Sequence, residues 1–91
     1  MRIRIYDCED NIAKFELDGF NLRAPIRYVD NEIDADYFWK ELMKANNFDE
    51  LLDALLDDDT TVEEGIVICA RLEEYVKSSV IPLIKKKLLN Q

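Results

Sequence analysis

Two periodicities share this chain, and the change from one to the other near residue 30 constrains its fold more than any other feature. Arg2, Ile3, Arg4, Ile5 and Tyr6 alternate in polarity, and in residues 12–17 Ala13, Phe15 and Leu17 fall on one side with Lys14 and Glu16 on the other. A period of two belongs to a half-buried β-strand, because successive side chains of an extended chain point to opposite faces. Between the two runs, Asp7-Cys8-Glu9-Asp10-Asn11 reads as a polar turn. Asp18-Gly19 closes the second run and accepts the positive φ angles of a tight hairpin. A third strand is expected from Phe20, with Leu22, Ala24, Ile26 and Tyr28 sharing its apolar side. Pro25 lacks a backbone donor and places this strand at an edge or ends it early. Residues 1–28 are therefore expected to form a three-stranded antiparallel meander.

From Asp30 the apolar residues recur at helical spacing. Phe38, Trp39, Leu42, Met43 and Ala45 step by three and four, and Asp30, Asn31 or Asp34 can cap the start of a helix that ends near Asn46-Asn47. Asn47, three residues before Glu50, has the spacing of a capping box for a second helix running to about Leu56, striped by Leu51, Leu52, Leu55 and Leu56. Thr60 and Thr61, with Glu63 and Glu64 each three residues on, repeat that spacing for a third helix. Its stripe of Cys69, Leu72, Val76, Val80 and Leu83, flanked by Ile66 and Ala70, is expected to face the core. Pro82 is expected to kink this helix or to start a short final one. The expected fold is α+β in a single domain over residues 1–91, with the amino-terminal sheet of residues 1–28 packed on three to four helices in residues 30–91.

Chemistry is narrowed by what the chain lacks. It has no histidine, which removes the commonest general base and metal ligand. Its 2 glycines form no phosphate-cradling loop, and its 2 cysteines, Cys8 and Cys69, have no paired metal-site or disulfide spacing. Adjacent carboxylates such as Glu73 and Glu74 point in different directions on a helix, with no nucleophile beside them. No catalytic residue, cofactor or metal is therefore expected. The basic start is followed by charge and not by an apolar run, and no stretch approaches the roughly 20 apolar residues of a membrane span, so a soluble cytoplasmic protein without membrane contact is expected.

The charge itself is unevenly placed. The net charge is −8, yet residues 1–29 carry 5 acidic and 5 basic side chains, residues 30–64 carry 13 and 2, and residues 65–91 carry 2 and 5. The candidate partner-binding residues are accordingly Asp30, Glu32, Asp34, Asp36, Asp49, Glu50, Asp53, Asp57, Asp58, Asp59, Glu63 and Glu64, with Tyr37 and Trp39 as aromatic anchors beside them. Asp30, Glu32, Asp34, Asp36 and Glu41 also fit a calcium-loop spacing in part, but Ala35 stands where that loop needs glycine and a strand precedes it, so helix capping accounts better for them.

A surface this acidic repels itself and is better tolerated against a basic partner, and a row of carboxylates can imitate a line of phosphates. The expected function is a small stoichiometric inhibitor or regulator that docks this acidic helical surface on a basic, nucleic-acid-handling protein, without touching nucleic acid directly. Its size and acidity are those of phage-encoded inhibitors, including anti-restriction and anti-CRISPR types, of immunity proteins and of antitoxins, an analogy of composition and not of motif. The alternative is an accessory or homo-oligomerising subunit whose acidity serves solubility only. Lys85, Lys86 and Lys87, with Arg2, Arg4, Arg23 and Arg27, are a candidate basic counter-patch whose pairing with the acidic middle of another copy leaves a homodimer open.

Overall fold

The computed structural model describes residues 2–45 and 48–90. Strands β1 (Ile3–Glu9), β2 (Ile12–Leu17) and β3 (Phe20–Pro25) form an antiparallel sheet in the order β1-β2-β3. The turn between β1 and β2 is shorter than the polar run suggested. β1 continues through Cys8 and Glu9, leaving only Asp10 and Asn11, at φ 55° and 61°, to make the reversal. The alternation hides this because of a bulge at Tyr6. Ile5 lies opposite Phe15 and Asp7 opposite Lys14, so Tyr6 is an extra residue and every later side chain changes face. Cys8 thereby joins Ile3 and Ile5 on the inner side, opposite Ala13. The Asp18-Gly19 hairpin lies where the sequence places it, with both residues at positive φ.

A second correction concerns residues 28–33. β3 stops at Pro25, and Tyr28–Val29 (β4) pairs with Glu32–Ile33 (β5) around Asp30 and Asn31, both at positive φ. Of the three candidate helix caps, Asp30 and Asn31 thus form a hairpin turn and Asp34 is left as the cap; Asp and Asn serve both purposes because their short polar side chains tolerate the left-handed conformation. Tyr28, expected on the apolar face of β3, is 51% exposed.

Helix α1 (Ala35–Met43) starts at Asp34, whose carboxylate accepts a hydrogen bond from the Tyr37 N–H at 3.1 Å. Helix α2 (Phe48–Leu55) follows; the Asn47 cap expected for it lies outside the described residues. Helix α3 (Val62–Tyr75) starts at Thr61, whose side chain accepts from the Glu64 N–H at 3.1 Å, one of the two cap spacings read from the sequence. A π-helical turn (Val76–Val80) then joins α3 to α4 (Ile81–Leu89) without a break in helical backbone, so the described residues form three helical rods.

The π turn explains where the sequence reading loses register. Pro82 has no N–H and its ring crowds the carbonyl four residues back; a widened preceding turn, in which the Ile81 N–H reaches the Val76 carbonyl, relieves that clash. A straight α-helix rotates about 40° per four-residue step, and the wider turn offsets this drift. Leu72, Val76, Val80 and Ile84 therefore stay aligned and fully buried, whereas Leu83, expected in the stripe, is 40% exposed.

The core forms where α1 lies against β3 and α4 against β1, with the π turn touching α1 between them. Phe15, Leu17 and Leu22 of the sheet meet Phe38, Leu42, Leu72, Val76 and Val80, and the Phe15 and Phe38 rings stack at 6.1 Å. Ile3, Ile5 and Phe20, expected in this face, pack at its margin half-buried. Trp39 meets Phe48 edge-on at 5.5 Å and holds α2 to α1. No described polar or charged residue is buried, so the core is apolar throughout. No described helix is long and apolar enough to cross a membrane.

Candidate protein-docking surface

The acidic residues divide into two groups that local sequence cannot separate. In the first, around the β4–β5 hairpin and the start of α1, three carboxylates meet cations: Glu32 with Lys85 at 3.1 Å, Asp34 with Arg27 at 2.5 Å, and Asp36 with Lys77 at 2.6 Å. Lys77 also reaches Glu73 at 3.3 Å, and Arg27 lies 4.3 Å from the Tyr37 ring centre. The Glu32–Lys85 and Asp36–Lys77 pairs tie the hairpin and α1 to the long carboxyl-terminal rod. Glu32 and Asp36 remain exposed and Asp34 is half-buried, but all three are already balanced, which leaves them little charge to offer a partner. Asp30, in the hairpin turn, is exposed and joins none of the ion pairs found among the described residues.

Asp34 has two structural roles, as the ion-pair partner of Arg27 and as the cap of α1. The Arg27 hydrogen bond first, and the Tyr37 N–H second, hold its carboxyl below the usual carboxylate range. A depressed folded-state pKa stabilises the fold fully above the ordinary carboxylate value of about 4, and that contribution disappears as pH falls through the lower folded value. Asp34→Ala should lower the midpoint of thermal unfolding by about 5 °C at neutral pH, and the gap to the native protein should narrow below about pH 4. Asp34→Asn, which retains a capping oxygen, should fall between the two. Equal midpoints for all three proteins at neutral pH would contradict both roles.

In the second group, Asp49, Glu50 and Asp53 on α2, Asp57, Asp58 and Asp59 in the following loop, and Glu63 and Glu64 on the first turn of α3 are all exposed. None of them takes part in the ion pairs found among the described residues. Physical chemistry accounts for some of them locally. Asp49 and Glu50, like Glu63 and Glu64, occupy first turns where the helix dipole favours negative charge. The Asp57 carboxylate accepts from the Asp59 N–H at 3.1 Å and the Thr60 hydroxyl at 2.9 Å, and so builds the loop. Asp53, Asp58 and Asp59 have no such local compensation, and the loop acids follow the α2 carboxyl end, where the dipole disfavours them.

The aromatic anchors are placed differently from the expectation. Trp39 is 6% exposed and serves the core, while Tyr37 is half-buried beneath Arg27. Exposed apolar side chains near the loop acids lie instead on the first turns of α3. Val62 is 82% exposed, Ile66 65% and Val67 48%. Val62 and Ile66, with Leu56, Thr60, Gly65 and Cys69, line an open groove between the α2–α3 loop and the helix. Ile66 and Ala70 were expected beside the core but are exposed. Length explains this. The 28 residues from Val62 to Leu89 span roughly 42 Å, against about 20 Å for a six-residue strand, so the amino-terminal end of the rod overhangs the sheet.

The two thiols differ in setting: burial pushes the Cys8 thiol above its ordinary pKa, and Cys69 is half-buried beside the groove. Among the described residues, no group of three or more His, Cys, Asp or Glu side chains is placed to hold a metal ion. Comparison of this chain with protein-family models, with curated proteins and with solved structures finds no match.

Proposed function

We propose that the protein is a stoichiometric inhibitor or regulator, acting in the cytoplasm, that docks the α2–α3 acidic arc on a basic surface of a nucleic-acid-handling protein. The observation that carries this reading is the division of the carboxylates. Glu32, Asp34 and Asp36 are neutralised within the fold, whereas the eight from Asp49 to Glu64 join no described ion pair, and one of them, Asp57, lines the same groove as the exposed Val62 and Ile66. Unpaired like charges within one arc raise the energy of the free protein and steer a basic partner toward it. Carboxylates presented in a row can take the place of duplex phosphates in a groove lined by Lys and Arg. The neighbouring apolar side chains add the desolvated contact that charge alone does not supply.

The test compares two variants carrying the same change of charge. One carries Glu50→Gln, Asp53→Asn, Asp58→Asn and Asp59→Asn; Asp57 is left in place because it builds the loop. The control carries Asp7→Asn, Glu9→Gln, Asp10→Asn and Glu74→Gln, outside the arc. The native protein and the control should capture the same basic partner from the native host at low salt and compete with that partner's nucleic acid. The arc variant should bind it at least tenfold more weakly. Equal capture by both variants, or a captured partner that keeps its nucleic acid, would overturn the reading.

A further inference from the structure

Strand β3 is an edge of the sheet, and the hydrogen-bond pattern shows which of its backbone groups face outward. The Ile26 N–H donates to the Asn11 carbonyl at 2.6 Å, one step beyond the last β2–β3 rung. In an antiparallel pair, bonding to the neighbour alternates along the strand. Ala24 and Leu22 therefore bond to Ala13 and Phe15, while Arg23 and Pro25 turn their backbone groups to the free edge. Pro25 offers a carbonyl there, and Arg23 offers both N–H and carbonyl; no further backbone hydrogen bond of either is found among the described residues. An open groove of about 830 Å³ touches Lys14 and Arg23 on the outer face of the sheet and Lys44 and Ala45 at the end of α1. Since α1 packs on the inner face, a groove that reaches both sets passes the edge of β3. Its charge is opposite to that of the molecule. Lys14 and Arg23 are exposed register partners, and neither joins an ion pair found among the described residues. Asp7 faces Lys14 from β1, on the side away from the edge, and Glu41, the one acid in the described lining, already meets Lys44 at 3.6 Å.

We infer that the free edge of β3 takes an extended acidic peptide of a partner protein as a fourth strand. Main-chain bonds to the Arg23 N–H and carbonyl and to the Pro25 carbonyl hold the peptide in register, as in other cases of strand addition. Its side chains then alternate between the two faces of the sheet. Carboxylates on the outer face meet Arg23 and, beyond it, Lys14, and side chains on the inner face lie toward Ala45 and Lys44. A basic segment would be repelled, and a neutral one would leave both outer cations unbalanced. The β3 edge of a second copy is a poor occupant, because it brings another Arg23 into a sheet where like charges on adjacent strands repel. Pro25 ends the site, since it has no donor to extend the ladder. The groove shares no residue with the acidic arc or with Val62 and Ile66, so this inference and the proposed docking function stand or fall separately.

The probe is a labelled, end-blocked hexapeptide of alternating valine and aspartate, titrated at low salt by fluorescence anisotropy. The native protein should bind it, and lysine in place of aspartate should weaken binding at least tenfold. N-methylation of the aspartate amides and of the valine amides should differ. One set should abolish binding and the other should be tolerated, because only alternate N–H groups of an added strand reach the edge. Arg23→Glu should lose the aspartate peptide at least tenfold and gain the lysine peptide, with unchanged circular dichroism, whereas Lys86→Glu, outside the groove, should do neither. In hydrogen exchange, the Arg23 amide should be fast in the free protein and at least tenfold slower with the peptide bound. No binding at peptide concentrations up to about 1 mM would overturn the inference. So would equal tolerance of both methylations, preference for a single-stranded oligonucleotide over the peptide, or an Arg23 amide slowed by raising the protein concentration alone, which would make a second copy the occupant.

Discussion

Ile84→Asp is expected to leave the chain largely unfolded at neutral pH, whereas Leu83→Asp, one residue earlier, should change its stability by less than about 1 kcal/mol. Ile84 is fully buried in the core, and Leu83 is 40% exposed. An aspartate at position 84 would find neither a cation nor a polar neighbour, because the described core contains no buried polar side chain. Burying an unpaired charge costs on the order of 3–5 kcal/mol, and the lost apolar contact adds to it, which together match the whole stability of a domain this small. The comparison isolates the π turn, since a straight helix would instead turn Leu83 toward the sheet. Urea unfolding followed by circular dichroism measures it. Two variants of equal stability would mean that the rod keeps α-helical register past Pro82.

Phe15→Ala carries the next largest effect. The ring is fully buried, stacks on Phe38 and projects from the central strand of the sheet, so its removal leaves a cavity that flanking strands on both sides cannot close. Truncations of this kind cost roughly 3–5 kcal/mol, and Leu72→Ala, facing it from the rod, should cost about 2–5 kcal/mol. Ile66→Ala, on the overhanging end of the same helix, should cost little in the monomer because its side chain is 65% exposed. The same denaturant titration separates the three. A Phe15→Ala protein with the native midpoint would place the core elsewhere.

These two predictions rest on features that were unequally visible in the amino-acid sequence. β2, β3 and the Asp18-Gly19 turn could be read directly, because one face of each strand is buried and alternation records that. The end of β1 could not, since the bulge at Tyr6 inverts the alternation and makes Cys8 look like part of a turn. The β4–β5 hairpin was hidden for another reason: strands of two residues have no period, and Asp30-Asn31 reads equally well as a helix cap. The helical stripe was legible as far as Val80 and lost one residue of register after Pro82. Its exposed end looked like core because local spacing says nothing about where the sheet beneath it stops.

The candidate surface was legible as composition and not as geometry. The concentration of acid between residues 30 and 64 is plain in the sequence, but which carboxylates are neutralised is not. Glu32 finds Lys85 53 residues away, and Asp36 finds Lys77 41 residues away. Only the fold separates these from the arc on α2 and α3. The same separation moves the aromatic anchor: Trp39 satisfies the amphipathic stripe of α1 and is consumed by the core, leaving Val62 and Ile66 as the apolar residues beside the acid.

The most direct test of the account is the salt dependence of binding to the captured partner, measured by titration for the native protein, the arc variant and the charge-matched control. If the arc replaces phosphates, the logarithm of the native association constant should fall steeply and linearly with the logarithm of salt concentration. The control should keep that slope, whereas the arc variant should start at least tenfold weaker and show a much shallower one. The gap between native and arc variant should close above about 0.15 M salt, where exposed charges are screened within roughly 8 Å. Parallel slopes for all three proteins would contradict the account and leave the acidity of α2 and α3 as a means of staying in solution.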